Sequence, residues 1–129
     1  MLATIVLGAM ATGCATTYDA SEATTIPSST STTVPTGPTA ELLQRLLAEA
    51  AKLGTLIDEH STEATPTVAR VEALWHAARA DVEGTHPGLL DDLDLNVEGC
   101  RSAVTRNRPA DADKAFRNLT VLVDSYDGG

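Results

Sequence analysis

From Ala40 to the end of the chain, apolar side chains recur every three or four residues in four separate stretches. This spacing is typical of one face of an α-helix, because the helix completes a turn every 3.6 residues. No stretch shows the alternation of apolar and polar residues that indicates a half-buried strand. The pattern therefore predicts an all-α domain built from amphipathic helices.

The four predicted helices are separated by short connections that contain turn residues. Their predicted ranges are 40–60, 66–83, 87–107 and 110–126. Thr39, Thr65 and Asp111 are predicted N-caps, and Gly84 is predicted to end the second helix. Short connections favour antiparallel neighbours, so the predicted fold is a small up-down four-helix bundle. Broken helices, or a three-helix core with the first helix docked loosely, are the alternatives.

Seven side chains on these apolar faces are predicted to belong to the core: Leu46, Leu53, Trp75, Leu93, Val97, Phe116 and Leu119. Trp75 is the only tryptophan, and a binding hot spot for a partner is its alternative role. Cys100 lies on the apolar face of the third helix, with no histidine nearby in the sequence to act as its base. We therefore predict that Cys100 is a small buried apolar residue.

A segment of very different composition precedes the helices. Residues 15–39 contain nine Thr, four Ser and three Pro in 25 positions, with few large apolar side chains. Such a segment cannot bury enough apolar surface to offset the entropy lost on ordering. The sequence predicts a disordered Thr/Ser/Pro-rich linker, which serves as a plain spacer or carries O-linked sugars.

The first residues contain a signal for export. An apolar segment, Leu2–Met10, is followed by Ala11-Thr12-Gly13-Cys14. Small residues directly before a cysteine, after an apolar stretch, resemble the lipobox of bacterial lipoproteins. The resemblance implies that residues 1–13 are a signal peptide and that the Cys14 thiol carries a diacylglyceryl group. Residues 14–39 would then be the lipidated tether and residues 40–129 the folded domain, anchored on the extracytoplasmic side of the cell membrane.

Two features of this signal depart from the lipobox pattern. Ala11 stands where the family usually has leucine, and no Lys or Arg lies between Met1 and Met10. A start codon further upstream would account for the missing charges. An ordinary secretory signal or a single membrane anchor is the alternative, although the apolar segment is shorter than the roughly 20 residues that span a bilayer.

The acidic balance of the chain limits its partners. The net charge is -9, and all nine basic residues follow Ala40. This balance argues against nucleic acid, whose phosphates require a basic face, and against an anionic lipid surface. Asp91, Asp92 and Asp94 lie at the start of the third helix, with Glu98 one turn further on. We predict that these four carboxylates bind a basic envelope protein; a solvated helix start is the alternative.

Catalytic and metal-binding patterns are weak in this sequence. Glu83 and His86 have the Glu-x-x-His spacing of di-iron bundles, but those bundles need the motif on two helices and here it spans a predicted helix break. His60 and His86 are predicted to lie at opposite ends of the bundle, so no metal site is expected. The sequence contains no Ser-His-Asp arrangement and no phosphate-binding glycine loop, and we expect neither enzymatic activity nor a cofactor.

A second resemblance covers Val71 to Tyr126. A tryptophan in one helix, His86-Pro87-Gly88 at the next turn, a Leu/Val-rich helix and an Ala/Asp-rich helix start follow one another. This order is similar to helical modules of bacterial iron-uptake proteins, the imelysin-like and iron-permease-associated regions.

Taken together, the tether, the small helical domain and the missing catalytic motifs predict a non-catalytic binding module in a lipid-anchored protein. The alternative, which the second resemblance implies, is accessory handling of iron in an envelope uptake system.

Overall fold

Four amphipathic helices account for most of residues 33–129, the part of the chain that the computed structural model describes. They are α1 (Thr39–Asp58), α2 (Ala64–Thr85), α3 (Pro87–Thr105) and α4 (Pro109–Asp127), and no strand occurs among these residues. The all-α prediction is confirmed. Cys14, the predicted signal peptide and most of the predicted linker lie outside the described residues.

Short connections determine how the helices are arranged. Residues 59–63 join α1 to α2, His86 alone joins α2 to α3, and residues 106–108 join α3 to α4. Each helix packs against the next, and α4 packs against α1, whereas α1 and α3 touch only slightly across the centre. The structure is therefore the predicted up-down four-helix bundle.

The core consists of the apolar faces of all four helices. Leu46, Leu53, Leu93 and Leu119 are completely buried, as predicted, and Trp75 and Val97 are each 5% exposed. Burial of one such large apolar side chain contributes about 1.5–3 kcal/mol relative to leaving it in water. The aliphatic side chains of α1 supply much of this buried surface.

Phe116, predicted to belong to the core, is not among its buried side chains. Its ring is only partly buried and packs against the margin of the core. Ala112, Ala115 and Leu119 are among the buried side chains on the side of α4 that faces the core. A Cβ placed on Gly99 of α3 would lie 3.5 Å from the Cβ of Ala115, so α3 and α4 approach closely through small residues.

The helices begin without the predicted caps. Thr39 is the first residue of α1, Thr65 is the second residue of α2, and Asp111 is the third residue of α4. None of the four helices in residues 33–129 has a hydrogen bond from a side chain at its N-cap. In α2, Pro66 occupies the third helical position, which is tolerated because the N–H groups of the first turn have no partner within the helix.

The helix ends also differ from prediction. α2 continues through Gly84 and ends at Thr85, immediately before His86 and Pro87. α1 and α3 are followed by His60 (φ 53°) and Asn107 (φ 55°), both in the left-handed conformation. The backbone N–H groups of the next residues bond back to Leu56 and Ala103, at 2.8 and 2.9 Å. These are Schellman ends, which usually contain glycine at the left-handed position.

Gly54 lets α1 and α4 approach each other. It is buried in the middle of α1, and a Cβ at this position would overlap the carboxylate of Asp113 on α4. Glycine normally weakens a helix interior by about 1 kcal/mol relative to alanine. The absence of a side chain at Gly54 leaves room for the Asp113 carboxylate against α1.

We expect Trp75→Ala to destabilise the bundle by about 3–5 kcal/mol, because it leaves a large cavity in the core. Phe116→Ala should cost clearly less, since part of the phenyl ring is already in contact with water. Urea unfolding followed by circular dichroism measures both values. A melting temperature unchanged in Trp75→Ala would contradict the buried position of the indole.

Candidate functional site

A polar groove lies between α2 and α3 and forms the candidate site. Its volume is about 280 Å³, and it opens to solvent along the surface of the bundle. We call it the α2–α3 groove. Its lining residues are Glu72, Trp75, His76, Arg79, Asp94, Val97, Glu98 and Arg101. Trp75 and Val97 are nearly buried and form its floor, and charged side chains form its walls.

Helical spacing and the short connection together position these residues. Glu72 lies one turn before Trp75 on α2, and Arg79 lies one turn after it, so all three share a face. Asp94 and Arg101 share a face of α3 in the same way. Because α2 and α3 run antiparallel from His86, residues equally far from His86 in the two directions lie opposite each other.

Asp94 is the centre of the site. Its carboxylate accepts a hydrogen bond from Trp75 Nε1 at 2.6 Å. It also accepts bonds from two nitrogens of Arg79, at 3.1 Å from Nε and 2.8 Å from Nη2. We refer to Asp94, Trp75 and Arg79 as the Asp94 cluster. A two-nitrogen contact to a carboxylate is stronger and more directional than a single ion pair.

The Asp94 cluster favours the ionised carboxylate. The hydrogen bond from Arg79 lowers the pKa of Asp94 below its ordinary value of 3.8, partial burial opposes this, and the bond from Trp75 lowers the pKa further. The same contact with Asp94 raises the pKa of Arg79. Both groups are therefore charged at neutral pH, and the pair joins α2 to α3.

A second, weaker contact lies farther from His86. Arg101 Nε is 3.5 Å from a carboxylate oxygen of Glu72 on α2, and the Arg101 side chain is 55% exposed. Arg101 also pairs with Glu98 on its own helix. Exposed pairs of this kind contribute about 0–1 kcal/mol, because water and salt screen them.

The structure separates the four carboxylates of the predicted acidic surface. Asp94 faces the groove, where its carboxylate already has Trp75 and Arg79 as partners, and its predicted role in binding a basic protein stays a prediction. Glu98 is exposed but paired with Arg101. Asp91 and Asp92 are exposed, and neither forms an ion pair with any residue between 33 and 129. Of the four carboxylates, only these two lack an ion-pair partner within the described residues.

The histidines lie apart from one another. His60 follows α1, His76 lines the groove, and His86 joins α2 to α3 at the other end of the bundle from His60. The His86 ring packs against Tyr126, with ring centres 4.5 Å apart. Within residues 33–129, no three His, Cys, Asp or Glu side chains come together as candidate metal ligands.

Cys100 is buried completely, as predicted, on the core face of α3. Burial raises the pKa of its thiol to about 11, so almost no thiolate forms at neutral pH. Because the thiolate is the nucleophilic form, Cys100 is unreactive while the bundle is closed.

Sequence reasoning missed the Asp94 cluster, although a signal for it existed. Arg79 lies seven residues before His86 and Asp94 lies eight residues after it. Glu72 and Arg101 lie fourteen and fifteen residues away in the same two directions. Once His86 is recognised as the whole connection between two antiparallel helices, this symmetry places each arginine opposite a carboxylate.

Comparison of the chain with protein-family models, with curated proteins and with solved structures gave no match. Both resemblances drawn from the sequence therefore remain predictions. Among the helices of residues 33–129, none is long and apolar enough to cross a membrane.

We expect Asp94→Asn to lower the free energy of unfolding at neutral pH and to have less effect in acid. The pKa of Asp94 is depressed in the folded state, so the carboxylate stabilises the fold above its unfolded pKa. This contribution is lost as the pH falls through the folded-state pKa. Urea unfolding of both proteins between about pH 2.5 and 7 measures the difference.

Asp92→Asn is the matched control, because Asp92 is exposed on the same helix and has no ion pair within the described bundle. Its effect on stability should be small at neutral pH. A difference between wild type and Asp94→Asn that stays constant over the whole pH range would contradict the role assigned to the carboxylate.

Proposed function

We propose that this protein is a lipid-anchored protein of the bacterial envelope whose helical domain binds another protein and performs no catalysis. Cys14, placed after small residues and an apolar segment, supports the anchor. The Thr/Ser/Pro-rich residues 15–39 that follow Cys14 have the composition of a spacer between the membrane and the bundle.

One observation carries the binding role. Asp91 and Asp92 are exposed at the start of α3 without an ion-pair partner among residues 33–129, whereas Asp94 and Glu98 are already paired with arginines. A basic partner supplies the missing counter-charge and is attracted by the acidic balance of the domain. The contact surface that we propose is therefore centred on Asp91 and Asp92.

The anchor is tested by replacing Cys14. In the native host, we expect Cys14→Ser to move the protein from the membrane fraction to the soluble fraction or to leave it unprocessed, because the thiol that carries the lipid is gone. Cys100→Ser is the matched control and should stay in the membrane fraction, since Cys100 is buried in the bundle. Mass spectrometry of the N-terminal peptide checks the lipid directly, and an unmodified wild-type peptide would refute the proposal.

The binding role is tested with a double variant, Asp91→Asn with Asp92→Asn. We expect it to lose a basic partner that the wild-type protein retains from envelope extracts at low salt, because the partner's counter-charges are removed. The control carries Asp58→Asn and Asp124→Asn, two exposed residues on α1 and α4, and has the same net charge. Equal retention of every partner by both double variants would remove Asp91 and Asp92 from the contact surface.

A further inference from the structure

The four contacts between neighbouring helices differ in their extent and in the kinds of side chain that form them. α3 and α4 meet through small residues such as Gly99 and Ala115, and α1 and α4 approach at Gly54. α2 and α3 contact each other less extensively than the other neighbouring pairs do. Between them the groove reaches down to Trp75 and Val97, and charged side chains bridge it from above. The α2–α3 contact thus depends on polar bonds more than any other in the bundle.

Different interactions also stabilise the two ends of the α2–α3 contact. At the His86 end, a single residue connects the helices, the His86 ring packs against Tyr126, and the Tyr126 hydroxyl donates to Asp81 at 3.2 Å. At the other end, the bridge between α2 and α3 is the exposed pair of Glu72 and Arg101. The Asp94 cluster lies between these ends, about 12 Å from His86 along α3 at 1.5 Å per residue.

We propose that the bundle opens locally between α2 and α3, turning about His86, and that the Asp94 cluster holds this contact closed. Opening separates Asp94 from Trp75 and Arg79 and brings water to Val97 in the floor of the groove. It also brings water to Cys100, one turn further along α3; both residues are buried in the closed bundle. The α1–α2, α3–α4 and α1–α4 contacts, which are all more extensive than the α2–α3 contact, stay intact, so α2 and α3 separate only along the groove. This motion is a property of the bundle itself and is independent of the partner proposed above.

The physical basis is the low local stability of a contact closed by partly exposed charges. Regions with few buried apolar contacts open at lower free energy than the global unfolding of a domain. The side chains of Arg79 and Asp94 are 40% and 38% exposed, so dissolved salt screens their attraction. Salt does not weaken the apolar contacts of the other helix pairs in this way.

Cys100 reports the opening, because its thiol is inaccessible and protonated in the closed bundle. The experiment uses the full chain with Cys14→Ser, which leaves Cys100 as the only thiol. Its reaction with dithionitrobenzoate is followed at constant pH in increasing urea, below the unfolding transition. We expect a labelling rate that rises only weakly with urea, because local opening exposes much less surface than global unfolding does.

Two variants test the Asp94 cluster in this background. Asp94→Asn should accelerate labelling by about tenfold, since it removes a charge-assisted bond to Arg79. Trp75→Phe keeps an apolar ring in the floor but removes the indole N–H donor, and it should also accelerate labelling. The matched control is Asp111→Asn, which removes the 3.0 Å ion pair with Arg108 at the start of α4, away from the groove. Its labelling rate should stay within about twofold of the parent.

The dependence of the labelling rate on salt concentration is an independent test of the proposal. Sodium chloride at about 1 M should accelerate labelling of the parent several-fold and should affect Asp94→Asn less, because that variant has already lost the screened pair. A wild-type labelling rate with the full urea dependence of global unfolding would overturn the proposal. Equal labelling rates in Asp94→Asn and Asp111→Asn would overturn the role of the Asp94 cluster.

Discussion

The connection between α2 and α3 consists of one residue, and much of the candidate site depends on this constraint. With only His86 between Thr85 and Pro87, the two helices must run antiparallel in a fixed register. Proline at the start of α3 has its φ already set for a helix, so α3 begins without an intervening loop. The register then brings the arginine one turn after Trp75 opposite the carboxylate of Asp94. A connection even two residues longer would allow other registers and would not specify this pairing.

Trp75 shows how the polar and apolar parts of the site depend on each other. Its ring fills the core beside Val97, yet its nitrogen reaches the carboxylate of Asp94 at the surface. A buried indole N–H without a partner would destabilise the fold, because a polar group taken out of water loses its hydrogen bonds. Asp94 removes that penalty and also pairs with Arg79. The choice of tryptophan at this position therefore requires a hydrogen-bond acceptor on the neighbouring helix.

The sequence was sufficient to predict the helices, their order and most of the core, because these depend on spacing along one chain. Leu46, Leu93 and Leu119 are buried where the three- and four-residue spacing places them. Phe116 was not predictable in this way, since spacing places it on the apolar side of α4 but does not show that it is only partly buried there. The partners of Asp94 were not predictable either, as it is acidic and near a helix start but faces an arginine on another helix. Side chains whose environment is set by a second helix are the ones that periodicity does not resolve.

The ring of helices has a consequence for the order in which the bundle assembles. Three of the four neighbouring contacts join helices that are consecutive in the chain, and such local contacts close short loops and form quickly. Only α1 and α4 are distant in sequence, and the carboxylate of Asp113 on α4 lies beside Gly54 of α1. Most of the chain entropy that is lost by bringing distant segments together is therefore lost when α4 packs against α1. Packing between α1 and α4 therefore bears on the rate of that step as well as on the stability of the finished bundle.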